Sequence, residues 1–194
     1  MNKKFQLVLT QGLLAGSLAS FFSTVVMAFA GRRDAGSAAA PINAVSHWAW
    51  GDEAFARHEA DLPHTGVGYL THHGAATFWA ISYAALASQT PALRTVPGLL
   101  LGAVATSAAA YVADFKLMPH RFTPGYAQRL STEGRMAVYA TLAVGLAAGA
   151  LVLRDDHQDE RRTRDKSKKW QALDFAPAAP RIVRHVRAGR GHSA

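Results

Sequence analysis

Residues 66–87, GVGYLTHHGAATFWAISYAALA, contain no Asp, Glu, Lys or Arg, yet carry two adjacent histidines, His72 and His73, a short way in. As an α-helix these 22 residues rise about 33 Å, enough to cross a hydrocarbon core of about 30 Å. On a helical wheel His73 shares a stripe with Gly66, Thr77, Ala80 and Ala84, whereas His72 shares one with Trp79 and Tyr83. Membrane helices approach one another along small residues, so His73 is the histidine expected to face a neighbouring helix.

Working outward, three more apolar runs of spanning length appear, at residues 5–30, 96–113 and 136–153. The first follows Lys3 and Lys4 and contains Ala28-Phe29-Ala30, which has the form of a signal-peptidase site. Its uncharged run is much longer than the roughly 7–15 residues of a signal core, which favours a retained anchor. Three of the four runs contain glycines four apart: Gly12 and Gly16, Gly98 and Gly102, Gly145 and Gly149. Repeated in separate helices, that spacing predicts closely packed backbones. The predicted fold is therefore all-α: a four-helix transmembrane bundle over residues 1–153, followed by a charged tail at 154–194.

The segment between the first two spans is polar except for residues 41–50, PINAVSHWAW. Ile42, Val45 and Trp48 recur at helical spacing, Pro41 suits a first turn, and Gly51 can end the helix. Trp48 and Trp50 suit headgroup level, so a short interfacial helix is expected in this outer loop. Asn43 and His47, four residues apart, would form its solvated polar face. Before the last span, Ser131 is placed to cap the helix, with Glu133 in its first turn.

Charge sets the orientation. With four spans, Lys3, Lys4, Arg94 and the 11 basic residues of the tail share one side, a total of 14. The opposite side holds 7: Arg32, Arg33, Arg57, Lys116, Arg121, Arg129 and Arg135. Basic residues concentrate on the cytoplasmic side, so both termini are predicted there. The tail offsets its 11 basic residues with 6 acidic ones. Glu160 with Arg164 and Asp165 with Lys169 can prolong the last helix, after which a disordered basic end can touch anionic lipid headgroups. Nucleic acid has no fold-level motif in its favour as a partner.

Candidate chemistry gathers on the outer side. His72 and His73 lie in the outer half of their span, Asp114 ends the third span, and His47 sits on the interfacial helix. Ionisable groups at membrane depth are costly and often functional. Histidine with a carboxylate can bind a divalent metal or pass protons, although no cofactor is required by the sequence. There is no cysteine, so thiolate sites and disulfides are excluded. His58-Glu59 begins like a zinc-protease motif, but Leu62 stands where the second histidine belongs. No phosphate-binding glycine loop and no nucleophile motif is present.

The small-residue first helix with Gly12 and Gly16, the Pro41 segment, the His-bearing second span, and the stretch from Leu117-Met118 through Pro124 to Glu133 together resemble the YagU-like group of small bacterial inner-membrane proteins. The resemblance implies a multi-span inner-membrane protein and supplies no family active site. Two functions follow from the residues. One is a non-enzymatic membrane protein acting by interaction, as a homo-oligomer or with a membrane partner, or by maintaining envelope properties. The alternative is a periplasm-facing metal, proton or small-ligand site, for binding or transport, built from His72, His73, Asp114 and His47.

Overall fold

The computed structural model describes residues 2–174, and among these every regular element is helical. The first uncharged run becomes α1 (Lys3–Ala35), capped by the Asn2 side chain, which accepts from Lys4 N at 3.0 Å. It ends where Gly36 turns left-handed at φ 68°. Two short helices follow, α2 (Ala40–Val45) and α3 (His47–Trp50), separated by Ser46. A wide helical turn, Leu62–Gly66, leads into α4 (Val67–Gln89), and Asp61 caps that turn by accepting from His64 N at 2.6 Å. Next comes α5 (Val96–Val112), with Thr95 accepting from Gly98 N at 3.2 Å, and a second wide turn, Ala113–Leu117, extends it. The last helix, α6 (Thr132–Asp174), is capped as its sequence predicts, Ser131 Oγ accepting from Gly134 N at 3.1 Å.

Three helices are long and apolar enough to cross a membrane: Lys3–Ala35, Val96–Leu117 and Thr132–Val152. Helix α4, at 23 residues, has the length, but its two histidines, its threonines and serines, and Gln89 make it less apolar than those three. The chain forms two compact units, Met1–Asp156 and His157–Ala194. In the charged stretch, residues 154–174 are helical, as the spacing of Glu160, Arg164, Asp165 and Lys169 predicts. The end expected to be disordered, residues 175–194, lies outside the described residues.

Apolar and polar surfaces are distributed inside out. Phe29, Leu101 and Leu70 are 74%, 70% and 67% exposed, while Ser20, Ser23 and Asn43 are 0% exposed. Water would penalise that arrangement, whereas a hydrocarbon surround favours it. The interior is made of small residues. A Cβ on Gly12 would fall 2.7 Å from Ile81 Cα, and one on Gly16 2.6 Å from Thr77 Cα, so α1 meets α4 backbone to backbone. Gly145 and Gly149 of α6 press on Ala19 and Ala15 of α1 in the same way. The third pair differs: Gly102 makes room for the Tyr83 ring and Gly98 for the turn at Ala92, so neither meets a second helix's backbone.

The interfacial helix expected at residues 41–50 requires correction. All six residues of α2 are buried, packed against α1, α4 and the turn Gly125–Gln128. Three glycines distant in sequence admit it. A Cβ on Gly68 would overlap Ile42 O, one on Gly125 would overlap Ala44 O, and one on Gly31 would overlap the Pro41 ring. Only α3 retains the predicted surface character, with Trp48 and Trp50 exposed. The polar face assigned to Asn43 is likewise reversed, because that side chain is buried and fully bonded. Its Nδ2 donates to Glu59 O at 2.8 Å and Arg57 O at 3.3 Å, and its Oδ1 accepts from Thr65 Oγ1 at 2.6 Å. A buried amide with three partners fastens the outer loop onto α2.

Candidate functional site

Where α1 crosses α4, two serine–histidine pairs replace the glycine contacts. Ser23 Oγ lies 2.8 Å from His72 Nε2, and Ser20 Oγ lies 2.8 Å from His73 Nδ1. Each hydroxyl also donates one turn back, Ser23 to Ala19 O at 2.7 Å and Ser20 to Ser17 O at 3.1 Å. A hydroxyl has a single hydrogen, so toward the histidines both serines accept and the imidazoles donate.

Both histidines therefore meet α1, and His72 is the more deeply buried, at 8% exposure. The wheel had favoured His73, which is only partly covered and stacks on Tyr69 with ring centroids 5.9 Å apart. The buried face of α4 draws on both stripes, His72 and Tyr83 from one and Ala80 and Ala84 from the other.

Beside His72 the interior opens into a cavity of about 70 Å³, lined also by Asp114, Tyr126, Tyr139, Trp79 and Thr71. Tyr126 Oη donates to Tyr139 Oη at 2.9 Å, and Tyr139 Oη donates to Asp114 Oδ2 at 2.5 Å. The His72 ring meets Tyr126 edge-on, with centroids 6.4 Å apart. Ser107 Oγ donates to Tyr139 O at 2.6 Å, fixing α5 against α6 at the same level. The result is a directed hydrogen-bond row, from the loop through α6 to the end of α5, with a carboxylate as final acceptor. Burial raises the pKa of the Tyr126 hydroxyl and holds it neutral.

Of the four residues singled out in the sequence, His72 and Asp114 line this one cavity. His73 lies next to it on the α1 contact. His47 belongs elsewhere: its Nδ1 faces Ala44 O at 2.9 Å and its Nε2 faces Arg121 O at 3.0 Å. The ring thereby ties α2 to the loop that carries Arg121. Among the described residues no three His, Asp or Glu side chains converge on a point where a metal ion could sit.

Sequence reasoning missed Ser20, Ser23, Tyr126 and Tyr139. The serines left a signal, polar groups three apart within an uncharged run. The tyrosines left none, because a loop residue and a helix residue 13 positions apart meet only in the folded chain. No protein-family model, curated protein or solved structure matches this chain, so the site is interpreted from its own geometry.

Proposed function

We propose that this protein is a four-span membrane protein of the bacterial inner membrane, with both termini cytoplasmic, that binds and exchanges a proton at the Asp114–Tyr139–Tyr126 row. Helix α4 is the fourth span: its two histidines are turned toward α1, and its outward face carries Leu70, Phe78 and Leu86. The observation that carries the proton reading is the row itself, ending on a carboxylate in a cavity of about 70 Å³. Such a space holds a few waters and is far smaller than the roughly 300 Å³ at which small-molecule pockets begin. Proton-relaying Asp and His side chains inside membranes have this placement, facing the protein interior beside water-sized space.

The full-length protein in lipid nanodiscs tests this by infrared difference spectroscopy across a pH titration. A carboxyl band that titrates in the wild type should vanish in Asp114→Asn and shift in Tyr139→Phe. Identical titrations in wild type and Asp114→Asn would defeat the proposal, and a Zn²⁺-dependent change abolished by His72→Ala would favour a metal site instead. The absence of cysteine makes topology directly accessible. An impermeant thiol reagent on intact cells should label His58→Cys and Gln128→Cys and spare Thr90→Cys and Asp165→Cys; the reverse pattern would invert the map.

A further inference from the structure

A second, larger cleft lies outside the cavity and shares with it only Pro124 among their lining residues. Its volume is about 470 Å³, and its lining includes His47, Arg121, Arg135 and Gln128, with Phe55 and Phe115 as aromatic walls. Asp52 is the one carboxylate that lines it. Neither arginine is neutralised: the Arg and Lys ion pairs among the described residues are Arg33 with Asp34 and Arg57 with Glu53.

Arg135 is the more telling of the two. Its Nη2 donates to Thr132 Oγ1 at 3.0 Å and its guanidinium lies 5.7 Å from the Phe115 ring centroid. Its Nε is buried with no acceptor. A half-buried guanidinium with one buried donor unpaired and no carboxylate bonded to it is in a costly state that a bound anion would relieve. The backbone of Arg121 is held by His47 Nε2, so the second guanidinium is carried on a fastened loop. The His47 imidazole lines the same wall and offers a polar ring beside the two arginines.

We propose that this cleft binds a phosphoryl group, with Arg121 and Arg135 supplying the forked donors. Paired guanidinium forks match phosphate oxygens in geometry and charge, and a volume of about 470 Å³ lies within the range of built ligand sites. Two sources present this chemistry, a phospholipid headgroup and a free phosphate compound. Phe115 lies within the apolar stretch Val96–Leu117 and Arg135 in the first turns of Thr132–Val152, so the cleft sits where two apolar helices end. That depth places it among lipid headgroups in a bilayer.

The test uses full-length protein in two arms. In the first, native mass spectrometry counts phosphatidylglycerol retained after detergent extraction, against diacylglycerol as the phosphate-free comparator. In the second, inorganic phosphate is titrated and followed by ³¹P NMR. Arg121→Gln and Arg135→Gln should each weaken binding about tenfold or more, Arg135→Lys should restore part of it, and Arg129→Gln, outside the cleft, should change nothing. Loss in the first arm identifies a lipid headgroup, and loss in the second alone identifies a soluble phosphate source. Binding in both arms that is indifferent to Arg121 and Arg135, or no binding in either, overturns the proposal. Should Arg135→Gln fail to fold, Arg121→Gln carries the test, because that side chain is exposed. Arg121→Gln, exposed and away from the Asp114 row, should leave the infrared titration of Asp114 unchanged, so that variant tests the two sites separately.

Discussion

The two ends of the α1–α4–α6 contact are built on the same helices by opposite means. Around Gly12, Gly16, Gly145 and Gly149 the backbones come together closely, each glycine lying against a main-chain atom of the neighbouring helix. Around Ser20, Ser23, His72, Tyr126 and Tyr139 the helices are joined by polar side chains that leave a cavity between them. Without a hydrophobic drive between helices in lipid, close van der Waals contact is the principal source of association. Interhelical hydrogen bonds add less, about 0.6 kcal/mol each on average. The glycine end is thus built for stability, and the polar end gives up contact area for chemistry.

The largest expected effect falls at the glycine end. Gly145→Val with Gly149→Val forces branched side chains onto the Ala19 and Ala15 backbone, and should cost about 4 kcal/mol or more by adding two overpacked sites. Unfolding midpoints in denaturing detergent would show it, with Gly74→Val as control, since nothing lies within 4 Å of a Cβ there. Equal losses at both sites would erase the distinction between the ends. Next in size is Asn43→Leu, which strands Arg57 O, Glu59 O and the Thr65 hydroxyl. Its cost should be about 3 kcal/mol, with faster hydrogen exchange through residues 57–65.

Smaller effects sharpen the polar end. Ser23→Ala removes one buried bond and should lower stability by about 1 kcal/mol or less, yet alter the ¹⁵N signals of the His72 ring. If it destabilises as much as the glycine pair, the polar end is structural after all. The smallest lies at the loop, where the His64 backbone N–H bonded to Asp61 holds that carboxyl below its ordinary pKa of 3.8. A depressed carboxylate stabilises the fold above its unfolded pKa and loses that contribution as pH falls through the folded value. Stability should therefore drop on the acid side, below about pH 4, and Asp61→Asn should lower the neutral-pH midpoint slightly while flattening that slope.

Much of this was legible in the chain. Length and the absence of charge identified the apolar helices, and the spacing of Gly12, Gly16, Gly145 and Gly149 marked surfaces that do meet a neighbouring backbone. The helix cap at Ser131 followed from local chemistry. What escaped depends on partners remote in sequence. Tryptophans at 48 and 50 suggested an interfacial helix, but burial of α2 is decided by Gly31, Gly68 and Gly125, each isolated in the sequence. His73 does face a neighbouring helix, as its wheel position suggested, but that His72 meets α1 as well was hidden, because a wheel ranks faces without knowing that Ser20 and Ser23 await both rings.

Two joints bound the segment that α2 carries inward. Gly36 at φ 68° opens it and Gly51 at φ 62° closes it, the only positive values among the described residues, and in each case nothing lies within 4 Å of a Cβ. Handedness alone constrains these corners, not space. An L-alanine at either would resist the turn by about 1–2 kcal/mol, while its mirror image, introduced by semisynthesis, should be welcomed. The chain thus enters and leaves its own interior through two achiral pivots, and swapping the chirality of one atom at each would tell how firmly that doorway is hung.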